Sequence, residues 1–188
     1  MRDKIKDILL ESIQVKEAIL HKEIGKLIEI TGVFVECLKK GGKLIFFGNG
    51  GSASDSQHLA AEFVGRFQKE RMALPALSLT CNTSVLTAIA NDYSYDLVFA
   101  RQIEALAQRN DVAVGISTSG KAKNVICAIK QAKKTGLKTV AFTGGRRSGA
   151  CKISRCFNCS AFTGYCENSR GPYHYRTYYV RVGGRGII

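Results

Sequence analysis

Residues 43–67 read KLIFFGNGGSASDSQHLAAEFVGRF, and this stretch decides the fold. The apolar run at residues 43–47 predicts a short buried strand, and the glycine-rich residues 48–52 predict a tight turn. An amphipathic helix is predicted from about Ala53 to Phe67. A strand that passes through a glycine-rich turn into a helix is typical of a βα unit, so the segment predicts an α/β fold.

The same alternation of apolar strands and amphipathic helices continues along the chain. Further strands are predicted at residues 75–80, 111–116 and 138–142, and helices at 83–90, at 97–107 and from residue 121 to about 135. Strands that alternate with helices predict a parallel sheet covered by helices on both faces, which is a flavodoxin-like arrangement. Ligands of such sheets bind at the carboxyl ends of the strands.

The first forty residues predict one or two amphipathic helices that end at Gly41-Gly42. An apolar stripe runs along the first helix, and it consists of Ile5, Leu9, Ile13 and Leu20, widened by Ile8, Val15 and Ile19. A helix that precedes the sheet must cover such a stripe somewhere. We therefore expect a homo-oligomer, most simply a tetramer with these helices at its centre.

Composition changes abruptly near Gly145. The net charge is +13, and residues 146–188 hold eight of the 28 Lys and Arg against a single acid, Glu167. Four of the seven cysteines and five of the seven tyrosines also lie in this tail. The distribution predicts a domain over residues 1–145 and an anomalous, poorly structured tail over 146–188, and it argues against a nucleic-acid partner.

The remaining composition predicts where the protein resides. No apolar run approaches the roughly 18 residues that a membrane span needs. The N-terminus, MRDKIKDILLES, is charged and lacks the apolar core of a signal peptide. We expect a cytoplasmic protein with no membrane partner.

Two polar loops follow predicted strands. Gly48-Asn49-Gly50-Gly51-Ser52 leads into one helix, and Ser117-Thr118-Ser119-Gly120 leads into another. Glycines allow a close backbone approach, and hydroxyls beside helix amides can hold a phosphate. Simple turns and N-capping are the structural alternatives. No lysine occupies the Walker position, which argues against a nucleoside triphosphatase.

His58 and Glu62 lie four residues apart on the helix after the first loop, so they share one face. That spacing suits two metal ligands, or a general base beside a ligand, and it also suits an ordinary surface pair. Asn91-Asp92 follows an apolar helix and is either a simple turn or a contact to the ligand.

Three segments together resemble a known family. GNGGSASDSQHLAAEFVGRF (48–67), LTAIANDYSYD (86–96) and VGISTSGKAKNV (114–125) are similar, in order and spacing, to the phosphoheptose isomerases of the SIS fold. The resemblance covers about three-quarters of the chain. It implies a zinc-dependent homotetramer that converts sedoheptulose 7-phosphate to D-glycero-D-manno-heptose 7-phosphate for the lipopolysaccharide core.

The resemblance also implies site residues. Glu62 would be the catalytic base that moves a proton between C1 and C2 through an enediol, and His58 and Glu62 would bind zinc. The substrate would be bound by Asn49, Gly50, Gly51, Ser52, Glu62, Asn91, Asp92, Ser117, Thr118 and Ser119. One local departure is Ala122, where the family often has a serine.

The larger departure lies in the tail. The family ends in a helix of the form ARIQExHxxxxH, whose Gln and second His complete the zinc site and whose His is the partner acid, and this chain has no such segment. A shift of one base over residues 165–185 permits Thr-Ala-Arg-Ile-Gln-Glu-Ala-His-Ile-Thr-Ile-Gly-His-Ile-Met-Cys-Glu-Leu-Val-Glu. For example, Ser169 before Arg170 allows a Gln codon, and Pro172 before Tyr173 allows a His codon. We infer that the tail is a frameshifted translation of an isomerase gene, and we expect this chain to be poorly active.

Three competing interpretations remain. The CxxC at Cys156 and Cys159 suggests a zinc ribbon, but a ribbon needs two such pairs, and the frameshift explains the tail's cysteines, arginines and tyrosines together. A replication initiator-associating protein shares this fold but lacks the carboxylate that corresponds to Glu62. A sugar-phosphate sensor usually accompanies a DNA-binding module, and the sequence shows none.

Overall fold

The computed structural model of the chain describes residues 1–68, 70–144, 150 and 155–158. The helices are α1 (Arg2–Lys22), α2 (Ile24–Lys39), α3 (Gly51–Val64), α4 (Thr83–Asp92), a 3₁₀ helix (Tyr95–Leu97), α5 (Val98–Leu106) and α6 (Lys123–Lys134). The strands are β1 (Leu44–Gly48), β2 (Ala76–Ser78), β3 (Val112–Ser117), β4 (Lys138–Thr143) and β5 (Arg155–Asn158). The predicted α/β alternation is confirmed, and the strand and helix ends differ from the predicted ones by a few residues.

The strands form one sheet in the order β2-β1-β3-β4-β5, and every neighbouring pair is parallel. The fifth strand corrects an expectation, because no strand was predicted after Arg146. Residues 155–158 pair with Val140–Thr143 of β4. The free edge of β4 offers backbone N–H and C=O groups to any extended segment, so pairing there needs no apolar sequence pattern. The rest of the predicted poorly structured tail, apart from residue 150, lies outside the described residues.

Strand β1 shows why the sheet is covered on both faces. All five of its residues are buried. Phe46 faces the cluster of α2 and α3 and stacks on Phe63 with ring centroids 6.1 Å apart. Phe47 faces the opposite cluster of α5 and α6, where its ring lies 5.6 Å from that of Phe99. Alternate residues of one apolar run therefore fill two cores, as expected for a parallel sheet.

The apolar stripe of α1 remains exposed in the single chain. Leu9 and Leu20 are each 60% exposed, and Ile5 and Ile13 are about half exposed. Ile24 and Ile28 of α2 add to the same kind of surface. Val15, counted in the predicted stripe, is instead buried at 6% exposure. No helix within the described residues is long and apolar enough to cross a membrane.

Asp111 joins the amino ends of β1 and β3, on the edge of the sheet opposite the two polar loops. Its carboxylate is 2% exposed and accepts hydrogen bonds from Lys43 N, Lys43 Nζ and Gln108 N, at 2.9, 2.6 and 2.8 Å. A buried carboxylate with three donors stabilises the fold because its removal leaves those donors without an acceptor.

We expect Asp111→Ala to lower the free energy of unfolding by about 2–4 kcal/mol, measured by urea denaturation. Glu104→Ala is the matched control, since Glu104 is more than half exposed and pairs with Arg101 on the surface. That change should cost less than about 0.5 kcal/mol. Equal losses in the two variants would contradict the structural role of Asp111.

Candidate active site

The carboxyl ends of β1 and β3 bring the two polar loops to one edge of the sheet. Gly48, the last residue of β1, pairs in register with Ile116 of β3, so Asn49 and Ser117 leave the sheet side by side. A Cβ on Gly48 would lie 2.7 Å from the Ile116 carbonyl oxygen and 2.8 Å from the Ser52 Cβ. Only glycine permits this close packing, which draws the start of α3 against the end of β3.

The first loop is held by its own backbone. Gly50 precedes α3 with φ of 54°, a conformation that favours glycine. The amides of Ser52 and Ala53 donate to the carbonyls of Asn49 and Gly50 at 2.9 and 3.0 Å. These bonds occupy two amides of the first helical turn, so the loop offers fewer free N–H groups to an anion than a bare helix N-terminus would.

The second loop is a separate turn that precedes its helix. The Oγ atoms of Ser117 and Ser119 accept from the amides of Gly120 and Lys121 at 3.1 and 3.2 Å. Helix α6 begins only at Lys123, so these hydroxyls stabilise the turn and do not cap the helix as the capping alternative supposed. Each hydroxyl oxygen is used as an acceptor, which leaves its O–H able to donate to a phosphate oxygen.

Gly144 and Ala150, both after β4 in the chain, contact the same loop. The amide of Gly144 donates to the carbonyl of Thr118 at 2.8 Å, and the amide of Ala150 lies 3.3 Å from the carbonyl of Gly120. The predicted phosphate-binding residues Ser117, Thr118 and Ser119 are therefore fixed from both sides. Ser117 is buried, whereas Thr118 and Ser119 are exposed where a ligand could reach them.

Asn124 and Tyr95, which the sequence analysis did not select, join the site through Asn49. Asn49 and Asn124 form a reciprocal amide pair, with Nδ2–Oδ1 distances of 2.9 and 2.8 Å. The hydroxyl of Tyr95 lies 3.2 Å from Asn49 Oδ1. Both residues occur within the segments that carry the family resemblance. Their only sequence signal was a polar side chain just after a loop, which is common in surface turns.

His58 and Glu62 lie together on α3, as their spacing predicted. Nε2 of His58 is 3.5 Å from Oε1 of Glu62, and their side chains are 53% and 18% exposed. The guanidinium of Arg71 donates to the carbonyls of Glu62 and Phe63 at 2.8 and 3.0 Å, which holds the last turn of α3 in place. A shielded carboxylate beside an exposed imidazole is an arrangement that can move a proton.

A complete metal site is not formed by the described residues. Among residues 1–68, 70–144, 150 and 155–158, no third His, Cys, Asp or Glu joins His58 and Glu62 in a group of three. Zinc sites normally use three or four protein ligands. This pair by itself therefore does not fit a bound zinc ion.

Asn91 and Asp92 end α4 and are exposed. Asn91 Nδ2 donates to Asp92 Oδ1 at 2.9 Å, so the two predicted substrate contacts bond to each other. Tyr95 lies three residues beyond Asp92 and reaches Asn49. The segment is thus tied to the first loop through Tyr95.

The groups with shifted pKa values lie away from these loops. Hydrogen bonds from Lys138 and Lys40, with their charges, lower the pKa of Glu36 to about 2. Burial, with a contribution from the nearby charge of Asp111, raises the pKa of the Cys37 thiol to about 11. Cys37 lies beside Lys43 and Glu36 beside Lys138, which are at the amino ends of β1 and β4, opposite the candidate site.

Comparison with known proteins covers the part of the chain that builds this site. The profile of the SIS domain family matches residues 9–144. A phosphoheptose isomerase from Aquifex aeolicus is 50% identical over 144 residues, which is 77% of this chain and 75% of that protein. A probable phosphoheptose isomerase from Thermoplasma acidophilum is 59% identical over 130 residues, which is 69% of this chain and 70% of that protein.

Solved structures give the same result. The phosphoheptose isomerase GmhA from Neisseria gonorrhoeae superposes with a TM-score of 0.83 at 33% identity, covering 99% of this chain and 97% of that one. A phosphoheptose isomerase from Francisella tularensis superposes with a TM-score of 0.82 at 27% identity, covering 96% of this chain and 93% of that one.

Proposed function

Because this chain belongs to the SIS domain family and is a sugar-phosphate isomerase, we propose that its substrate is sedoheptulose 7-phosphate and its product D-glycero-D-manno-heptose 7-phosphate. The observation that carries the proposal is the meeting of three separate segments at one sheet edge, through Asn49, Tyr95 and Asn124. These segments are the ones whose residues resemble phosphoheptose isomerases. The product would supply heptose for the lipopolysaccharide core.

In the proposed reaction the second loop holds the phosphate and α3 supplies the base. The O–H groups of Ser117, Thr118 and Ser119 donate to phosphate oxygens, with Ser52 from the first loop. Glu62 removes a proton from C1 of the ketose, and an enediol forms as the C2 carbonyl oxygen gains a proton. Return of a proton to C2, with loss of the proton from the C1 hydroxyl, gives the aldose. Asn91 and Asp92 would contact the sugar.

The pairing of His58 with Glu62 supports catalysis over the non-catalytic alternatives. A binding protein or a sensor needs the polar loops but has no use for a shielded carboxylate beside an imidazole at 3.5 Å. We propose in addition that these two residues are half of a zinc site, and that the other ligands belong to the helix that a restored reading frame would encode. This proposal includes the inference that the tail is a frameshifted translation of an isomerase gene.

The test of the function is ligand-observed NMR of the chain with sedoheptulose 7-phosphate in D₂O, with zinc present. We expect binding, together with slow exchange of the C1 proton for deuterium, because proton removal by Glu62 is the half of the reaction that this chain retains. D-fructose 6-phosphate, a shorter ketose phosphate, is the specificity control. Absence of both binding and exchange with the heptulose would overturn the proposed substrate.

We propose that the chain assembles into a homo-oligomer, most simply a tetramer, in the cytoplasm, through the exposed stripe of α1. The double change Leu9→Gln and Ile13→Gln should lower the assembled mass seen by multi-angle light scattering, because it removes apolar area that another subunit would cover. Asp7→Asn, on the exposed polar side of the same helix, should leave the mass unchanged. A stable wild-type monomer at micromolar concentration would contradict this proposal.

A further inference from the structure

The hydrogen bonds of Asn49 leave its side chain very little freedom. Its Oδ1 accepts from Asn124 Nδ2 at 2.8 Å and from the Tyr95 hydroxyl at 3.2 Å. A carboxamide oxygen has two lone pairs, so both acceptor positions are used. Its Nδ2 donates one hydrogen to Asn124 Oδ1 at 2.9 Å. Within the described residues, no acceptor engages the second Nδ2 hydrogen.

The orientation of both amides follows from one backbone donor. Asn124 lies in the first turn of α6, where amides lack helical partners. The amide of Val125 donates to Asn124 Oδ1 at 2.9 Å, so an oxygen must occupy that position. The Nδ2 of Asn124 must then face Asn49, and it requires an oxygen there. The backbone of α6 therefore determines that Oδ1 of Asn49 lies against Nδ2 of Asn124.

This chain of bonds joins three parts of the site. Asn49 belongs to the loop after β1, Asn124 to the helix that follows the Ser117–Gly120 turn, and Tyr95 to the 3₁₀ helix just beyond Asn91-Asp92. Asn124 is 3% exposed, which protects its bonds from competition by water. The carbonyl of Asn49 also accepts from Ser52 N, so the start of α3 is included.

We propose that Asn124 and Tyr95 are positioning residues that hold the Asn49 carboxamide as a donor-only group toward the sugar. Asn49 then contacts a carbonyl or hydroxyl oxygen of the substrate through its second Nδ2 hydrogen and offers no acceptor. Asn124 and Tyr95 do not touch the substrate, and they act through Asn49. This inference rests on the proposed function for the identity of the ligand, whereas the hydrogen-bonded unit itself is independent of it.

The first experiment measures binding of sedoheptulose 7-phosphate and of inorganic phosphate to the full chain by NMR titration. Tyr95→Phe removes one hydroxyl and leaves the ring, and Asn124→Ala removes the amide pair. We expect either change to raise the Kd for sedoheptulose 7-phosphate about 3- to 30-fold and to leave the Kd for inorganic phosphate within about twofold. Tyr93→Phe is the matched control, because its hydroxyl contacts Arg101 and not the loops.

A double-mutant cycle separates positioning from a merely structural role. In an Asn49→Ala background, Tyr95→Phe should no longer change the Kd for sedoheptulose 7-phosphate, because its effect passes through Asn49. Equal effects of Tyr95→Phe with and without Asn49 would overturn the proposal. If the wild-type chain binds sedoheptulose 7-phosphate and neither Tyr95→Phe nor Asn124→Ala changes its Kd, the proposal is also overturned.

Hydrogen exchange decides the case in which the wild-type chain binds no sedoheptulose 7-phosphate. That result would refute the proposed substrate and leave the hydrogen-bonded unit to be judged by itself. Amides of residues 48–53 should then exchange at least about threefold faster in Tyr95→Phe and Asn124→Ala than in wild type or Tyr93→Phe. Unchanged exchange in this loop would overturn the positioning role as well.

Discussion

Restoring the reading frame after residue 145 is expected to raise turnover of sedoheptulose 7-phosphate by at least about 10³-fold over the present chain. The reason is that the present chain has fewer groups available for proton transfer than the restored one. Glu62 and His58 lie together on α3, but the described residues supply no third group beside them. The restored helix would add a Gln and a His as metal ligands and a His as the acid opposite Glu62. Losing a general acid or base alone typically costs 10²–10⁴ in rate.

The measurement is a direct assay of aldose formation, with added zinc, on both proteins at equal concentration. A chain that stops at Asn158 is the useful control, since it keeps β5 and lacks both the rest of the present tail and the restored helix. It should be as inactive as the present chain, which would show that the gain comes from the restored residues. Full turnover by the present chain would refute both the frameshift interpretation and the need for a partner to Glu62.

The core of the fold could be predicted because its central strands, β1 and β3, are apolar runs bounded by turn residues. Leu44–Phe47 illustrates this, since a run that fills two cores has no polar face and can only be a covered strand. Strand β5 could not be predicted, because its residues form no apolar run and it joins the sheet by backbone pairing with the edge of β4. Backbone pairing leaves no pattern in the sequence.

The candidate site was likewise predicted only in part from the sequence. His58 and Glu62 were found because a spacing of four on a helix fixes their proximity, which the structure confirms at 3.5 Å. Asn124 and Tyr95 were missed because they reach Asn49 across 75 and 46 residues of sequence. Contacts of that kind depend on the relative placement of three loops, and no local pattern reports them. The turn of Ser117–Gly120 was predicted, but the sequence did not show that α6 begins only at Lys123, beyond the turn.

Glu62→Gln in the frame-restored protein is expected to lower kcat about 10²- to 10⁴-fold with a small change in KM. Glutamine keeps the size of the side chain and its ability to form hydrogen bonds, but it cannot accept the C1 proton. Glu62 is 18% exposed, and the helix turn that carries it is held by Arg71. The loss should therefore fall on the chemical step, because substrate binding depends mainly on the phosphate and on the two loops.

The same change in the present chain provides a test that does not require complete turnover. Glu62→Gln should abolish deuterium exchange at C1 of sedoheptulose 7-phosphate in D₂O and leave its Kd within about threefold, because the phosphate contacts are untouched. Glu70→Gln is the matched control, since Glu70 is 85% exposed and pairs only with Arg66 among the described residues. It should leave exchange and binding unchanged. Exchange that persists in Glu62→Gln at the wild-type rate would show that another group removes the proton.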